Sequence, residues 1–421
     1  MIQKAVLPNG LRVVTKKLES TKAVTVLIFA GAGSRYETKE INGIAHFLEH
    51  MFFKGGERYC NTKEVSGAID GIGGSFNAFT GKEYVGYYVK VARDKMDTAI
   101  DVLSDMMMNA TFDPAEIDKE RGVILEELNM YQDTPMYQVG WNFENLLYGD
   151  QPLGWDQIGT KELIQSVTHD DFKKYQADLY TPENVVITIT GNVEHEDIVE
   201  KIGKMFPFPK AVKAYSALPI HPLENPEKIH VVNKKTEQAH IVCGFEGYSN
   251  SHPDKYAKKL LSIILGGNMS SRMFLNVREA KGLSYYIQTS TDFFKDTGAI
   301  STRAGVDVNR ISLAVEAIIE EYKQIASEDV PEQELQKAKD YLQGKMTLRL
   351  EDTEEYAYFI AQQELLMDET KTIEEIFAEM DEVTVADIRR VAEDLFKEDK
   401  LRLALIGPCG DEKELEKILK F

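Results

Sequence analysis

Residues 46–50 place two histidines four positions apart, with a carboxylate beside the second: His46, Glu49 and His50. In a helix, positions i, i+3 and i+4 share one face, so both imidazoles can meet one Zn²⁺ and Glu49 faces the same ion. His-x-x-Glu-His is a known zinc-site pattern. A catalytic zinc takes three protein ligands and keeps one position for water, so the pattern predicts a third ligand elsewhere in the chain. The plainer alternative, two surface histidines on an amphipathic helix, is weakened by the mostly apolar residues of 44–53.

A second segment supplies candidate carboxylates. Asp113-Pro114 predicts a helix start, and Glu120 and Glu127 then lie two turns apart on one helical face. Carboxylates that face inward beside apolar residues require a cation, and zinc would be that cation. An exposed acidic stripe is the alternative. Glu126, rotated by about 100° from Glu127, competes with it for the ligand position.

These motifs resemble the inverzincin metallopeptidases, the family of pitrilysin, insulin-degrading enzyme and the mitochondrial processing peptidases, and above all its short two-domain members. The resemblance runs the whole length of the chain and also includes Leu7-Pro8-Asn9-Gly10-Leu11, Gly43-Ile44-Ala45, Phe52, Lys54-Gly55 and Val123-Ile124-Leu125-Glu126-Glu127. It implies that His46, His50 and Glu127 bind one Zn²⁺ per chain. It also implies that Glu49 is the general base and that Glu120 is a carboxylate behind the ligands.

The same resemblance assigns roles outside the zinc motif. Arg278 and Tyr285 match a pair that binds the scissile carbonyl and stabilises the oxyanion, with Tyr286 as an alternative to Tyr285. Phe76, Asn77 and Ala78 match an edge strand that binds an extended peptide by backbone pairing, with Asn77 aligning the peptide. Without the family, Arg278 is a surface residue, Tyr285 a half-buried strand residue, and Asn77 a turn residue after Gly73-Gly74.

An internal repeat predicts the fold. Three segments recur in the same order at an offset of 216–218 residues: 13–17 and 231–235, 168–174 and 384–390, 185–191 and 401–407. Each copy begins with strands, passes through helices and returns to a strand, which predicts an α+β fold of two homologous domains. Each domain has a mostly antiparallel sheet packed with helices, and together they form half of a clamshell. The predicted domains are 1–210, which binds zinc, and 229–421, joined by a proline-rich linker at 211–228. The zinc helix shifted by 218 positions contains no histidine, so the second domain is predicted to lack metal.

Composition restricts the class of protein. The chain has 421 residues, 43% of them hydrophobic and 28% charged, as in soluble globular proteins. The net charge of −20 argues against nucleic acid and anionic membranes and is compatible with basic peptides, or simply with a solubilising surface. We find no signal peptide and no run of apolar residues long enough to span a membrane. Three widely spaced cysteines predict reduced thiols in a cytoplasmic setting. A bacterial cytoplasm is the favoured location, and a mitochondrial matrix is the alternative.

Together these features predict a zinc-dependent endopeptidase that hydrolyses short, unfolded peptides inside a closed chamber. Glu49 would activate the zinc-bound water that attacks the peptide carbonyl. Two domains make only half of the chamber of the larger family members, so we expect a homodimer in which Arg278 and Tyr285 act in trans. The alternatives are a non-catalytic scaffold or partner subunit of a processing-peptidase-like complex, and a structural zinc protein. For the latter we find no fourth ligand.

Overall fold

The computed structural model describes residues 2–224, 226–367, 369–409 and 412–421. The strands are β1 (Ile2–Val6), β2 (Arg12–Lys17), β3 (Ala23–Ala30), β4 (Ser75–Thr80), β5 (Val85–Ala92), β6 (Val185–Gly191), β7 (Ile229–Asn233), β8 (Gln238–Gly247), β9 (Ser284–Phe293), β10 (Gly298–Asp307) and β11 (Arg402–Gly407). The helices are α1 (Ile44–Phe52), α2 (Thr62–Asp70), α3 (Met96–Met108), α4 (Pro114–Asp133), α5 (Pro135–Tyr148), α6 (Lys161–Ser166), α7 (His169–Leu179), α8 (His195–Met205), α9 (Lys255–Gly266), α10 (Ile311–Ser327), α11 (Glu332–Arg349), α12 (Thr353–Leu366), α13 (Ile373–Asp381), α14 (Val385–Leu395) and α15 (Glu412–Ile418). Met273–Ala280 forms a π-helical segment.

The chain folds into two compact units, each built on one mixed sheet. The first unit contains residues 1–128, 156–218 and 347–372, and the second contains 129–155, 219–346 and 373–421. The strand order is β1-β2-β6-β3-β5-β4 in the first sheet and β7-β11-β8-β10-β9 in the second. All neighbouring strands are antiparallel except β2 with β6 and β7 with β11. The predicted α+β fold of two homologous, helix-covered sheets is confirmed.

The duplicated helix start explains why the repeat was visible in the sequence. Thr168 caps α7 and Thr384 caps α14, each in a capping box with the aspartate three residues later, Asp171 or Asp387. In each box the threonine hydroxyl accepts from the aspartate N–H, while the aspartate carboxylate accepts from the threonine N–H. Each helix leads into a buried strand: β6, which pairs in parallel with β2, or β11, which pairs in parallel with β7.

Two helices make the compact units discontinuous. The apolar side of α12 packs on β3 and β6 of the first sheet, where Ala357 and Ala361 contact Leu27 and Phe29. In the second unit α5 packs on β8 and β11, where Val139 and Phe143 contact Val242. The domain bounds 1–210 and 229–421, which come from the sequence repeat, remain a prediction. The compact units differ from these domains because 129–155 belongs to the second unit and 347–372 to the first.

The predicted linker is irregular where it is described, since residues 207–224 and 226–228 contain no helix or strand. Among the described residues, no helix is both long and apolar enough to cross a bilayer.

Candidate metal centre

Helix α1 carries the histidine pair. It begins after Gly43, whose φ of 104° is in the left-handed region that favours glycine. Its apolar residues are buried: Ile44, Ala45, Phe47, Leu48, Met51 and Phe52. His46, Glu49 and His50 are left partly exposed along one stripe, and the rings of His46 and His50 lie 4.8 Å apart between centroids.

Helix α4 brings Glu127 to this stripe. Its Oε1 lies 3.7 Å from His46 Nε2 and its Oε2 lies 3.5 Å from His50 Nε2. Ile124 and Leu128 are buried and fix the face of α4 that carries Glu127, whereas Glu126 is exposed. The geometry therefore favours Glu127 over Glu126 as the carboxylate of this cluster.

The three side chains fit a zinc ion. Their ligand atoms all lie within 4.8 Å of one another, and no other such group of His, Cys, Asp and Glu occurs among the described residues. Tetrahedral zinc bonded to nitrogen and oxygen at about 2.1 Å places neighbouring ligand atoms about 3.4 Å apart, close to the two histidine–glutamate distances. The Nδ1 of His46 is buried and has no hydrogen-bond partner in the described part of the chain, so this ring lacks the support that Glu120 gives to His50. Two imidazoles and one carboxylate are a donor set that suits Zn²⁺ and leaves one coordination position open.

Glu120, two turns before Glu127 on α4, lies behind His50. Its Oε1 is 2.9 Å from His50 Nδ1, and its Oε2 forms an ion pair with Lys54. Burial lowers the pKa of His50, but the hydrogen bond to Glu120 and the charges of Glu120, Glu127 and Glu49 outweigh burial and raise it. Burial raises the pKa of Glu120, but His50 and Lys54 together lower it. A hydrogen bond of this kind orients a ligand imidazole so that Nε2 faces the metal.

Glu49 is held from the neighbouring sheet. Thr80 Oγ1, at the end of β4, donates to Glu49 Oε2 at 2.5 Å. One carboxylate oxygen is thereby fixed, while the side chain remains partly exposed beside the two histidines. A carboxylate in this position can accept a proton from a water at the metal.

Strand β4 lies at the free edge of the first sheet, next to α1. Its residue Phe76 packs against Phe53, which follows α1, with ring centroids 5.7 Å apart. Asn77 lies within the strand and not in a turn, and its Oδ1 accepts from the N–H of Ala78 at 3.0 Å. The interpretation of Asn77 as a turn residue is therefore wrong, and the predicted edge strand at Phe76, Asn77 and Ala78 is present.

Glu37 also positions this site and was not predicted from the sequence. Its buried carboxylate accepts from Gly43 N at 2.7 Å, Ala45 N at 2.8 Å and Asn42 Nδ2 at 2.9 Å, all at the first turn of α1. Burial raises the pKa of Glu37 to about 7, against the lowering effect of these hydrogen bonds. The signal in the sequence was weak: an acidic residue a few positions ahead of a helix that has no side-chain cap of its own.

The predicted oxyanion pair lies in the second unit. Arg278, in the π-helical segment, donates from Nε to the backbone oxygen of Tyr285 at 3.0 Å, and its guanidinium lies 4.5 Å from the Phe274 ring centroid. The Tyr285 side chain is 59% exposed. The hydroxyl of Tyr286 is bound to His240 Nδ1 at 3.0 Å, and burial raises the pKa of Tyr286 to about 12. Of the two tyrosines, Tyr285 therefore has the accessible hydroxyl.

Fold and site define a class: a duplicated α+β protein with one candidate zinc centre of metallopeptidase type. Comparison with known proteins supports this. Residues 12–161 match the family described as Insulinase (Peptidase family M16), and residues 166–342 match the Peptidase M16 inactive domain. The chain therefore belongs to peptidase family M16, and the resemblance to the inverzincins is confirmed.

Two bacterial relatives match over nearly the whole chain. The "Uncharacterized zinc protease YmxG" of Bacillus subtilis is 37% identical and covers 98% of this chain and 99% of its own length. The "Uncharacterized zinc protease SCO5738" of Streptomyces coelicolor is 34% identical and covers 98% of this chain and 91% of its own length.

Two solved structures share the fold. A protease from Helicobacter pylori has a TM-score of 0.88 at 25% identity and covers 97% of this chain and 99% of its own. A Pseudomonas fluorescens structure named for the peptidase M16 inactive domain has a TM-score of 0.90 at 18% identity, with 97% and 98% covered.

Proposed function

We propose that this protein is a zinc-dependent endopeptidase that hydrolyses short, unfolded peptides, with one Zn²⁺ per chain held by His46, His50 and Glu127. The observation that carries the proposal is the position of Glu49, fixed by Thr80 beside the three ligands and next to a free strand edge. Zinc, when bound, supplies Lewis-acid polarisation of a carbonyl and lowers the pKa of a water.

The protein's own residues would do the remaining work. The edge of β4 aligns an extended peptide by backbone pairing, with Asn77 at its side. Glu49 takes a proton from the attacking water and passes it to the leaving amine. Glu120 holds His50 in orientation, and Arg278 and Tyr285 donate hydrogen bonds to the oxyanion.

Cleavage of a quenched fluorescent peptide library by wild type and Glu49→Gln, with zinc measured in both, tests the proposal. Because general-base catalysis contributes about 10²–10⁴-fold, we expect the variant to lose at least about a hundredfold of kcat/KM at equal zinc content. Glu126→Gln is the matched control, because this neighbour of Glu127 is exposed and should leave zinc and activity unchanged. Full zinc without cleavage by wild type would favour the non-catalytic partner subunit instead.

We further propose a homodimer that encloses a chamber, with Arg278 and Tyr285 acting on the partner's zinc site. Mixing inactive Glu49→Gln with inactive Arg278→Ala tests this. If the residues act in trans, each mixed dimer has one intact site, and about a quarter of wild-type activity should return after subunit exchange. If they act within one chain, no activity returns.

A cytoplasmic location is also proposed. Cys60 and Cys243 carry free thiols, which suits a reducing compartment. Fractionation of cells that express the protein would test it, and recovery outside the cytoplasm would contradict it.

A further inference from the structure

A cavity of about 410 Å³ lies in the first unit between the β4 edge of the sheet and the start of α12. Strand residues form one side and the segment 349–358 forms the other: Thr25, Leu27, Asn77, Ala78, Phe79, Thr80, Gly81, Tyr84, Tyr88, Arg349, Glu354, Glu355 and Tyr358. Its floor continues into the apolar cluster of Leu27 and Phe29 under α12. His46, Glu49, His50 and Glu127 do not line it, whereas Thr80, which binds Glu49, lies at its border.

The cavity and the zinc centre lie on opposite faces of the same strand. Thr80 directs its hydroxyl to Glu49 on the α1 side, whereas its neighbour Phe79 packs against Phe29 and Tyr358 on the α12 side. Gly86 permits this, because a Cβ at position 86 would lie 2.2 Å from the Phe79 ring. Successive residues of a strand point to opposite faces, and a peptide paired with β4 would continue that alternation. When one peptide residue faces the zinc, the residue next to it faces the cavity.

The walls of the cavity suit a cation. Tyr84 and Tyr358 join through their hydroxyls at 2.7 Å, so that their rings stand as a fixed aromatic wall. The Arg349 guanidinium lies 5.9 Å from the Tyr358 ring centroid and pairs with Glu355. The cavity thus already holds one guanidinium between a tyrosine ring and a carboxylate. Aromatic faces attract cations in this arrangement.

Glu354 remains without a cationic partner in this wall. Its carboxylate accepts a hydrogen bond from the Tyr88 hydroxyl, which with burial raises the pKa of Tyr88 to about 12. The neighbouring acid Asp352 is neutralised by Lys90 at 2.6 Å, and Glu355 is neutralised by Arg349. The lining therefore carries one negative charge in excess, beside aromatic rings and next to a strand edge open to a peptide.

We propose that this cavity is a specificity subsite that takes the lysine or arginine side chain of a peptide residue adjacent to the one at the zinc. The proposal rests on the proposed peptidase function and on peptide pairing with β4. The aliphatic part of the side chain would lie against Phe79 and the tyrosines, and its charged end would reach Glu354.

Matched peptides test the subsite. Each fluorogenic peptide carries either lysine or its neutral isostere norleucine at one position. The residue is placed in turn at each of the three positions on either side of the cleaved bond, and the masses of the products identify that bond. At one position we expect wild type to prefer lysine about tenfold in kcat/KM. Glu354→Gln should abolish the preference while leaving the norleucine peptide unchanged, and Glu354→Lys should invert it. Glu196→Gln is the control. Glu196 is an exposed glutamate in the first turn of α8, and this matches the position of Glu354 in the first turn of α12.

Two outcomes would overturn the subsite: no lysine preference at any position, or the same preference in wild type and Glu354→Gln. Anisotropy of the labelled peptides bound to Glu49→Gln, with and without Glu354→Gln, separates this result from failure of the proposed function. If wild type cleaves no peptide but lysine-dependent binding disappears with Glu354→Gln, the peptidase proposal fails and the subsite remains. Thermal unfolding of each variant shows that it is folded.

Discussion

The two sheets share one order of five strands, to which the first unit adds β1 at an edge, but the units differ in the helix that follows β3 in the first and β8 in the second. In the first unit β3 is followed by α1, which carries His46 and His50, and in the second β8 is followed by α9, which carries no histidine. Apart from β1, the strand order agrees between the units, and so do the parallel pair and the capping boxes. The difference indicates that the shared sheet positions a helix in both units, while a few side chains on that helix determine whether it offers candidate metal ligands.

One buried ionisable residue contacts the corresponding helix in each unit, and these two residues are of opposite type. Under α1 lies the carboxylate of Glu37, which accepts from the first turn of the helix. Within α9 lies the fully buried Lys258, whose Nζ donates to the backbone oxygens of Tyr248 at 2.8 Å and Asp292 at 2.9 Å. A carboxylate fixes one helix through N–H groups, and an amine fixes the other through the carbonyl groups of one residue in β9 and one residue just after β8.

The largest effect should come from removing a ligand in the first unit. His50→Ala removes a nitrogen donor and leaves Glu120 and Lys54 paired with each other, so zinc should fall from one per chain to near zero. Activity should fall by more than about a hundredfold. Metal analysis after gel filtration measures the first, and peptide cleavage measures the second.

His240→Ala in the second unit is the matched control for this prediction. The His240 ring is hydrogen-bonded to the Tyr286 hydroxyl and belongs to the second unit. The substitution of His240 should therefore leave the zinc content unchanged. Loss of zinc from this variant would contradict the assignment of metal to the first unit alone.

The next effect belongs to the second unit. Tyr285→Phe should reduce kcat about a hundredfold with zinc content and KM nearly unchanged, because an oxyanion donor acts mainly in the transition state. Tyr286→Phe should have a small effect, since that hydroxyl is already bound to His240. Steady-state kinetics of both variants decide the matter, and a larger loss in Tyr286→Phe would reverse the assignment.

Opposite pH dependence should distinguish the two buried charges. The pKa of Glu37 is raised by burial to about 7, so its contribution to stability is fully present below about pH 4.3 and is lost as the pH rises through 7. The pKa of Lys258 is lowered by burial to about 7, so its contribution is fully present above about pH 10.4 and is lost as the pH falls through 7.

Denaturant unfolding of wild type, Glu37→Gln and Lys258→Met between pH 5 and 10 measures this. Relative to Glu37→Gln, wild type should lose up to about 3 kcal/mol between pH 5 and 8. Relative to Lys258→Met, it should gain up to about 4 kcal/mol between pH 7 and 10. Slopes of the same sign would show that the two charges do not play opposite roles.

Local patterns predicted much of this molecule. The apolar residues around His46 and the spacing of Glu120 and Glu127 predicted the two helices of the centre, and the repeat predicted the paired sheets. The segments 84–91 and 299–306, each after a Gly-containing turn, also predict sheet strands, and β5 and β10 lie within one residue of them.

Contacts that cross irregular backbone or join separate elements were not predicted. Glu37 accepts from Gly43 and Ala45 across a short 3₁₀ turn that no sequence period marks, and Thr80 contacts Glu49 from a different element, β4. The sequence also did not predict that residues 129–155 belong to the second unit and residues 347–372 to the first. The hydrophobic pattern of α5 or α12 predicts a helix but does not indicate which sheet the helix packs on. The ion pair of Lys54 with Glu120 was not predicted either. A lysine just after a helix is usually exposed to solvent, and nothing in the sequence marks this one as paired.

The smallest effect tests the equivalence of the units most directly. Thr168→Ala and Thr384→Ala each remove one hydroxyl from the same capping box, at the helix that precedes the last strand of each repeat. Each should lower the free energy of unfolding by about 1 kcal/mol, and the two losses should agree within about 0.5 kcal/mol because the boxes have the same bonds. The double variant should lose the sum, since the two sites share no partner. Neither should change zinc content, because these caps belong to the part of the fold that both units have in common. Unequal losses would mean that the two capping boxes contribute differently to the free energy of unfolding. The two units would then share their backbone topology but not the energetics of this helix.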